Sequence, residues 1–230
     1  MLHHYFRDRS LCAWSASSGE FLFARRYCHG GEVTAVDVTA HGSVIVTGSR
    51  DTSVLVWGVQ VDHDALMPVP VRRHAVEDRV WSVAVSSGPQ QVSFKLKNLL
   101  EKPCISLKIN NFIHLVSCYL QMIAVGTAAT RGVAPLRLFD LMSGAHLMDL
   151  GSDLKRGAGM LDLSWLSPST LLSCGYDTFT RLWDTRCRSA VRSWEEEYDE
   201  SVYCLATDKV SFPCVTCLTE LGLSLPPNSL

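Results

Sequence analysis

Three short stretches of the chain share one internal spacing. In GSRDTSVLVW (residues 48–57) Asp51 stands six residues before Trp57. FRDRSLCAW (6–14) repeats that step from Asp8 to Trp14, and GYDTFTRLW (175–183) repeats it from Asp177 to Trp183. Recurrence at a fixed spacing constrains the fold more than any other feature here. Each copy must be one unit of an array that buries its apolar face against the next copy. The aromatic position recurs at Trp14, Trp57, Phe139 and Trp183, in steps of 43, 82 and 44 residues. Two of the steps fit a unit of about 40–45 residues built from four short strands. The middle step is too long by about one unit or one insertion.

The residues around each copy have strand periodicity. VTAVDV (33–38), VIVTGS (44–49) and SVLVW (53–57) alternate or run apolar, and HG and RDT between them supply turn chemistry. A later unit repeats this with MLDLSW (160–165), TLLSCG (170–175), TFTRLWD (178–184) and SAVRSW (189–194). No strong helical period occurs outside residues 92–121. The expectation is an all-β fold, an incomplete β-propeller of about three WD-type blades plus partial blades, with a non-propeller insertion. Within residues 28–72, His29 precedes Asp51 by 22 residues, Thr47 precedes it by four, and Trp57 follows it by six. WD-repeat proteins use such a set as a buried hydrogen-bond tetrad. A buried polar group without a partner costs about 1–3 kcal/mol, so such networks are kept whole or dropped. The fourth unit keeps Ser173, Asp177 and Trp183 but has Lys155 at the His position, and the third has Phe139 and no turn Asp. These residues read as architectural, with no nucleophile grouped near them, and no catalytic residue is expected.

The long middle step contains residues 92–121, which carry four Lys, one Glu and an uncharged apolar run. Without them RVWSVAVSSGPQQ joins MIAVGTAAT as consecutive strands of one blade. Residues 109–130 carry no charge, but their last third is strand-like, and a bilayer crossing there would cut a blade in half. A membrane span is therefore not expected. The insertion opens Gln-Val-Ser and the tail opens Lys-Val-Ser at Lys209. Both are what an exon–intron junction encodes when read through in frame. The expectation is a retained intron at 92–121 and read-through beyond 209, in a truncated or intron-retaining form.

The chain has 230 residues, 47% hydrophobic and 19% charged, with a net charge of -2. Without a Lys/Arg run, neither nucleic acid nor a membrane surface is an expected partner. The N-terminus has no apolar signal segment, and nine cysteines without regular spacing read as reduced thiols of a cytoplasmic or nuclear protein. Cys214-x-x-Cys217 is half a zinc spacing with no second pair, so neither metal nor cofactor is expected.

EDRVWSVAVS (77–86), LGSDLKRGAGMLDLSW (150–165), LLSCGYDTFTRLWD (171–184) and WEEEYDESVYCLATD (194–208) resemble the WD-repeat half of dactylin-type F-box/WD-repeat proteins. The resemblance covers roughly 28–91 and 122–208. It implies a partial blade at 1–27 and blades at 28–72, at 73–150 with the insertion, and at 151–196. A first strand of a further blade follows at 197–208, and a divergent tail at 209–230. It also implies the substrate-recognition subunit of an SCF ubiquitin ligase, which is not itself an enzyme. Such a subunit holds protein substrates, often phosphorylated, and reaches the Skp adaptor and cullin only in F-box-containing forms. No F-box precedes the repeats in this sequence. In relatives that read phosphate, an Arg just before the turn Asp lines the pocket. Arg50 and Arg7 hold that position here, whereas Tyr176 replaces it in the fourth unit. The acidic run 195–200 reads as a solvated loop between blades. The alternative is a WD-repeat protein-interaction scaffold without a ligase role.

Overall fold

The computed structural model describes residues 2–5, 8–39, 42–62, 65–86, 90–91, 119–195, 201–207, 215–219 and 222–224. Among these every regular element is a strand. The first sheet is β1 (Leu2–Tyr5), β2 (Leu11–Trp14) and β3 (Phe21–Arg25). The second is β4 (Val33–Val38), β5 (Val44–Ser49), β6 (Ser53–Asp62) and β7 (Ala65–Ala75). The third begins with β8 (Val80–Val85). A two-stranded hairpin of β9 (Gln90–Gln91) and β10 (Tyr119–Leu120) interrupts it. It resumes with β11 (Met122–Thr127), β12 (Leu136–Asp140) and β13 (His146–Leu150). The fourth is β14 (Met160–Ser167), β15 (Thr170–Gly175), β16 (Phe179–Asp184) and β17 (Ala190–Glu195). The fifth is β18 (Cys204–Thr207), β19 (Val215–Thr219) and β20 (Gly222–Ser224).

The second, third and fourth sheets are antiparallel meanders in chain order, each the four-strand blade of a propeller. The structure is thus an all-β, incomplete WD propeller with three full blades between two three-stranded sheets. β8 pairs directly with β11, Ile123 opposite Val85. Gln91 opposite Tyr119 extends that hairpin outward. Residues 92–118 lie outside the described residues, as do the expectations attached to them. Within the tail, residues 209–230, β19 pairs with β18 and β20 pairs with β19. The β-branched VTCLT of β19 suits that pleated surface.

Strand alternation divides the core between neighbouring blades. Successive side chains of a strand point to opposite faces. Ile45 therefore packs with Leu11, Ala13 and Phe23 toward the first sheet, while Val46 packs with Val80, Val83 and Phe139 toward the third. Leu171 and Trp183 pack with Leu136 and Leu138, and Leu172 turns toward Val202. Each blade has two apolar faces, and an isolated blade would leave both in water.

The inner strands β4, β8, β14 and β18 follow one another, each beside the next. Their free edge groups are satisfied from the neighbouring blade. Thr34 Oγ1 donates to the Val80 carbonyl (2.7 Å), and the Val85 amide donates to Asp37 Oδ2 (2.7 Å). Ser82 Oγ donates to the Met160 carbonyl (2.9 Å), and the Leu205 amide to Asp162 Oδ2 (2.8 Å). Burial pushes the Asp162 carboxyl above its ordinary value; the Leu205 and Leu163 amides oppose this, and nearby Asp37 adds to it. Close approach of blades also explains Gly126. A Cβ there would meet Ser82 Oγ of its own blade and lie 2.9 Å from the Met160 carbonyl of the next.

Candidate functional site

One face of the arc is built from the turns joining the second and third strands of each blade and from the loops between blades. The Asp–Trp spacing organises this face. Asp51 precedes Thr52, which has φ +66°; Asp8 precedes Arg9 at +68°, and Asp177 precedes Thr178 at +68°. A non-glycine residue in this left-handed region needs local compensation. The preceding Asp supplies it by accepting the amide two residues on. Asp51 Oδ1 takes the Ser53 amide at 3.0 Å, Asp8 Oδ1 the Ser10 amide at 3.1 Å, and Asp177 Oδ1 the Phe179 amide at 3.4 Å. In the third blade Ala129 has φ +52°, and its amide donates to Thr127 Oγ1 at 3.2 Å.

The second, third and fourth blades then fix their turns through buried polar networks, with different chemistry each time. In the second blade, Trp57 Nε1 donates to Thr47 Oγ1 (3.0 Å), and Thr47 Oγ1 lies 2.8 Å from His29 Nε2. His29 Nδ1 lies 3.3 Å from Asp51 Oδ2 and 3.1 Å from Ser53 Oγ. An indole N–H can only donate, so the Thr47 hydroxyl accepts there and gives its one proton to Nε2. The Nδ1 proton of the neutral ring is then the one that Asp51 receives. Burial lowers the His29 pKa, outweighing the opposing pull of Asp51, so the neutral ring is the folded form. For Asp51, burial raises the pKa, but bonds from Ser53, the Gly30 amide (2.7 Å) and His29 outweigh it and hold the carboxyl below its ordinary value.

In the fourth blade the indole–hydroxyl half persists, with Trp183 Nε1 donating to Ser173 Oγ at 2.8 Å. Lys155 is exposed and takes no part. Buried Arg181 instead ion-pairs with Asp177 at 2.7 Å. Ser173 faces Arg181 across the ladder as Thr47 faces Leu55, so an arginine stands where the second blade has a leucine. In the third blade the polarity reverses. Asp78, fully buried in the preceding loop, accepts from the Thr130 amide (2.7 Å), the Thr130 hydroxyl (2.9 Å) and the Arg131 amide (3.2 Å). Burial raises its pKa, but those bonds and the Arg79 amide bring it below the ordinary value.

Asp78 and Arg181 escape a search for the His–Asp–Trp set. Arg181 did leave a signal. It lies two residues before buried Trp183, on the same strand face, so an inward charge there needs a carboxylate. Asp78 left only the string VEDR between two strands.

Arg50 lies on the exposed face, and its guanidinium meets Glu32 Oε2 at 2.8 Å. Arg7 lies outside the described residues. Cys214 also lies outside them. Among the described residues no cluster of His, Cys, Asp or Glu could hold a metal ion. No helix there is long and apolar enough to cross a membrane.

Serial four-stranded sheets clamped through these turns define a WD-repeat protein. The WD domain, G-beta repeat model matches residues 20–58, which span β3 to the Trp57 strand. The chain is 38% identical over 182 residues to F-box/WD repeat-containing protein 4 of Mus musculus, covering 78% of this chain and 36% of that protein. It is 38% identical over 182 residues to the Homo sapiens protein of the same name, of which it covers 35%. The chain spans about a third of the length of these curated relatives. Over the matched residues the chain is similar to part of these F-box/WD repeat-containing proteins. WD repeats and F-box relatives together point to protein partners.

Proposed function

We propose that this chain recognises protein substrates for an SCF-type ubiquitin ligase, as the substrate-holding part of an F-box/WD-repeat receptor. It is read as an adaptor, without a catalytic step of its own. The supporting observation is the clamped face. The turns of the second, third and fourth blades are each held by a buried network, and an exposed residue stands next to each clamp. Arg50 is the candidate phosphate contact in the second blade, with Arg7 its partner in the first. Guanidinium suits phosphate because it is a permanently charged, bidentate donor. The Glu32 bond does not preclude this role: an exposed ion pair is worth about 0–1 kcal/mol, so a dianionic phosphate can displace the carboxylate. The reading places the chain in the cytoplasm or nucleus, where such ligases act, with the Skp adaptor and cullin engaged through an F-box.

The test is substrate half-life. Proteins recovered with the tagged chain are identified, and their turnover is measured while the chain is overexpressed with and without a full-length relative. The ligase reading expects their lifetimes to change with receptor dose and with cullin inhibition. Recovery with no lifetime change under either treatment overturns it and leaves a protein-interaction scaffold.

A further inference from the structure

We infer that the clamped face carries a second, separate site: a cleft between the third and fourth blades that binds an anionic side chain of a partner protein. The inference rests on the protein-binding reading above for the source of the anion, but not on Arg50. Two features of the third blade create the cleft. Its turn runs over residues 128–135, against 50–52 in the second blade and 176–178 in the fourth. The loop 151–159, leading to the fourth blade, stands opposite. Between them lies a cleft of about 460 Å³ lined by Arg131, Arg137, Lys155, Arg156, Glu77 and Asp149 among others. That volume lies within the range of about 300–1,000 Å³ typical of ligand pockets.

The charges are unequal, four cations against two carboxylates, and they are not all committed. Arg137 is occupied, its Nε on Asp149 at 2.9 Å and its Nη1 on the Val76 carbonyl at 3.1 Å. Asp149 also takes His146 Nε2 at 2.8 Å, so this carboxylate is already shared. Arg156 donates Nε to the Thr130 carbonyl at 2.7 Å, which anchors its head at the rim. The side chains of Arg131 and Lys155 are exposed and have no hydrogen-bond or ion-pair partner among the described residues. Two unpaired cations and one anchored guanidinium thus share a concave wall whose backbone is fixed. The Arg131 amide is held by Asp78 at 3.2 Å, and the Gly157 amide by the Ala129 carbonyl at 2.9 Å. A fixed wall loses little entropy on binding. The ligand chemistry is a carboxylate or phosphate on an extended segment, because guanidinium and ammonium groups favour compact anions.

The test uses the purified full chain and two small probes, inorganic phosphate and N-acetylglutamate, read by NMR shifts of the amides of residues 130–132 and 155–157. Saturable shifts at these amides are expected, with the stronger response identifying the anion. Arg131→Glu with Lys155→Glu is expected to weaken the response at least tenfold. Arg50→Glu is expected to leave it unchanged. Far-ultraviolet circular dichroism and the thermal midpoint of the double variant establish that it is folded. If it is not, Arg131→Gln with Lys155→Gln replaces it. Equal responses in wild type and variant, or shifts spread over the surface, overturn the site while leaving the ligase reading standing. Binding only to anionic lipid vesicles, with no response to either probe, also overturns it. Conversely, failure of the half-life test with retained probe binding removes the ligase reading and keeps the cleft.

Discussion

Replacing Thr47 by valine removes one oxygen and almost no volume, and the structure says what that oxygen holds. Thr47 is fully buried; its hydroxyl accepts from Trp57 Nε1 at 3.0 Å and faces His29 Nε2 at 2.8 Å. Thr47→Val strands both buried nitrogens. Each unpaired group costs about 1–3 kcal/mol, so the expected loss is about 2–6 kcal/mol. The fourth blade supplies an internal control. Ser173 is equally buried but serves only Trp183 Nε1, at 2.8 Å. Ser173→Ala should therefore cost about 1–3 kcal/mol, roughly half as much. Urea unfolding of the full chain measures both, as midpoint changes at constant slope. A cycle pairing Thr47→Val with Trp57→Phe separates hydrogen bonding from packing. In the valine background the tryptophan substitution should cost about 1 kcal/mol less than in wild type, since its donor is already stranded. Thr47→Val costing no more than Ser173→Ala, or a coupling of zero, would refute the linked network.

Asp177→Ala leaves Arg181 charged and buried, and should destabilise by about 3–5 kcal/mol; adding Arg181→Leu, which recreates the Leu55 arrangement, should recover most of that loss on chemical denaturation. Acidification should also destabilise the fold. Burial lowers the pKa of both His29 and His74 from 6.5. Above 6.5 both are neutral in either state; as pH falls, the unfolded chain takes up protons that the folded chain resists, so stability drops below about 6.5. His74→Leu should flatten part of that slope in melts taken between about pH 7.5 and pH 5, since His74 Nε2 is buried and has no partner among the described residues. Gly126→Ala should cost about 1–3 kcal/mol, because the Met160 carbonyl is backbone and cannot rotate away; an unchanged melting temperature would show that the blades can separate there.

The fold was legible because its information is local and repeated. The Asp–Trp step encodes a turn and the strand after it, and Asp8, Asp51 and Asp177 compensate a left-handed residue in the same way. The apolar runs of VIVTGS and TLLSCG told that these strands are buried on both faces, though not toward which neighbouring blade each side chain would point. The His29–Thr47–Asp51–Trp57 set was legible as spacing. The other two clamps were not, since the pairing of Asp78 with Thr130 spans 52 residues, including residues 92–118. Arg181 was hidden in a different way. The search for a loop histidine led to Lys155, while the replacement had moved to the strand. The cleft was illegible because it is a difference between turns: eight residues in one blade where its neighbours have three.

The three clamps show what the repeat requires. A histidine, two backbone amides and an arginine are different donors to an aspartate carboxylate, and the carboxylate sits in the turn in two blades and in the preceding loop in the third, yet each pair fixes the same turn of its blade. The requirement is therefore mechanical: a turn with a left-handed residue must be fixed against its surroundings. It can be met by any buried polar pair that leaves little unsatisfied. Because the clamps lie beneath the surface, the exposed residues beside them take no part in the clamps. Arg50, Arg131 and Tyr176 occupy turns of successive blades, two cations and an aromatic ring. A uniform array would present the same group at every blade and recognise only repetition. This one presents a paired cation, an unpaired cation above a cleft, and an aromatic ring packed against Trp81 at 4.8 Å. Selectivity on such a face resides in the order of these groups along the arc. Tyr176→Arg should therefore alter which proteins are recovered with the tagged chain while leaving the Ser173–Trp183 clamp in place, and the lost packing on Trp81 and Tyr203 should lower the melting temperature slightly.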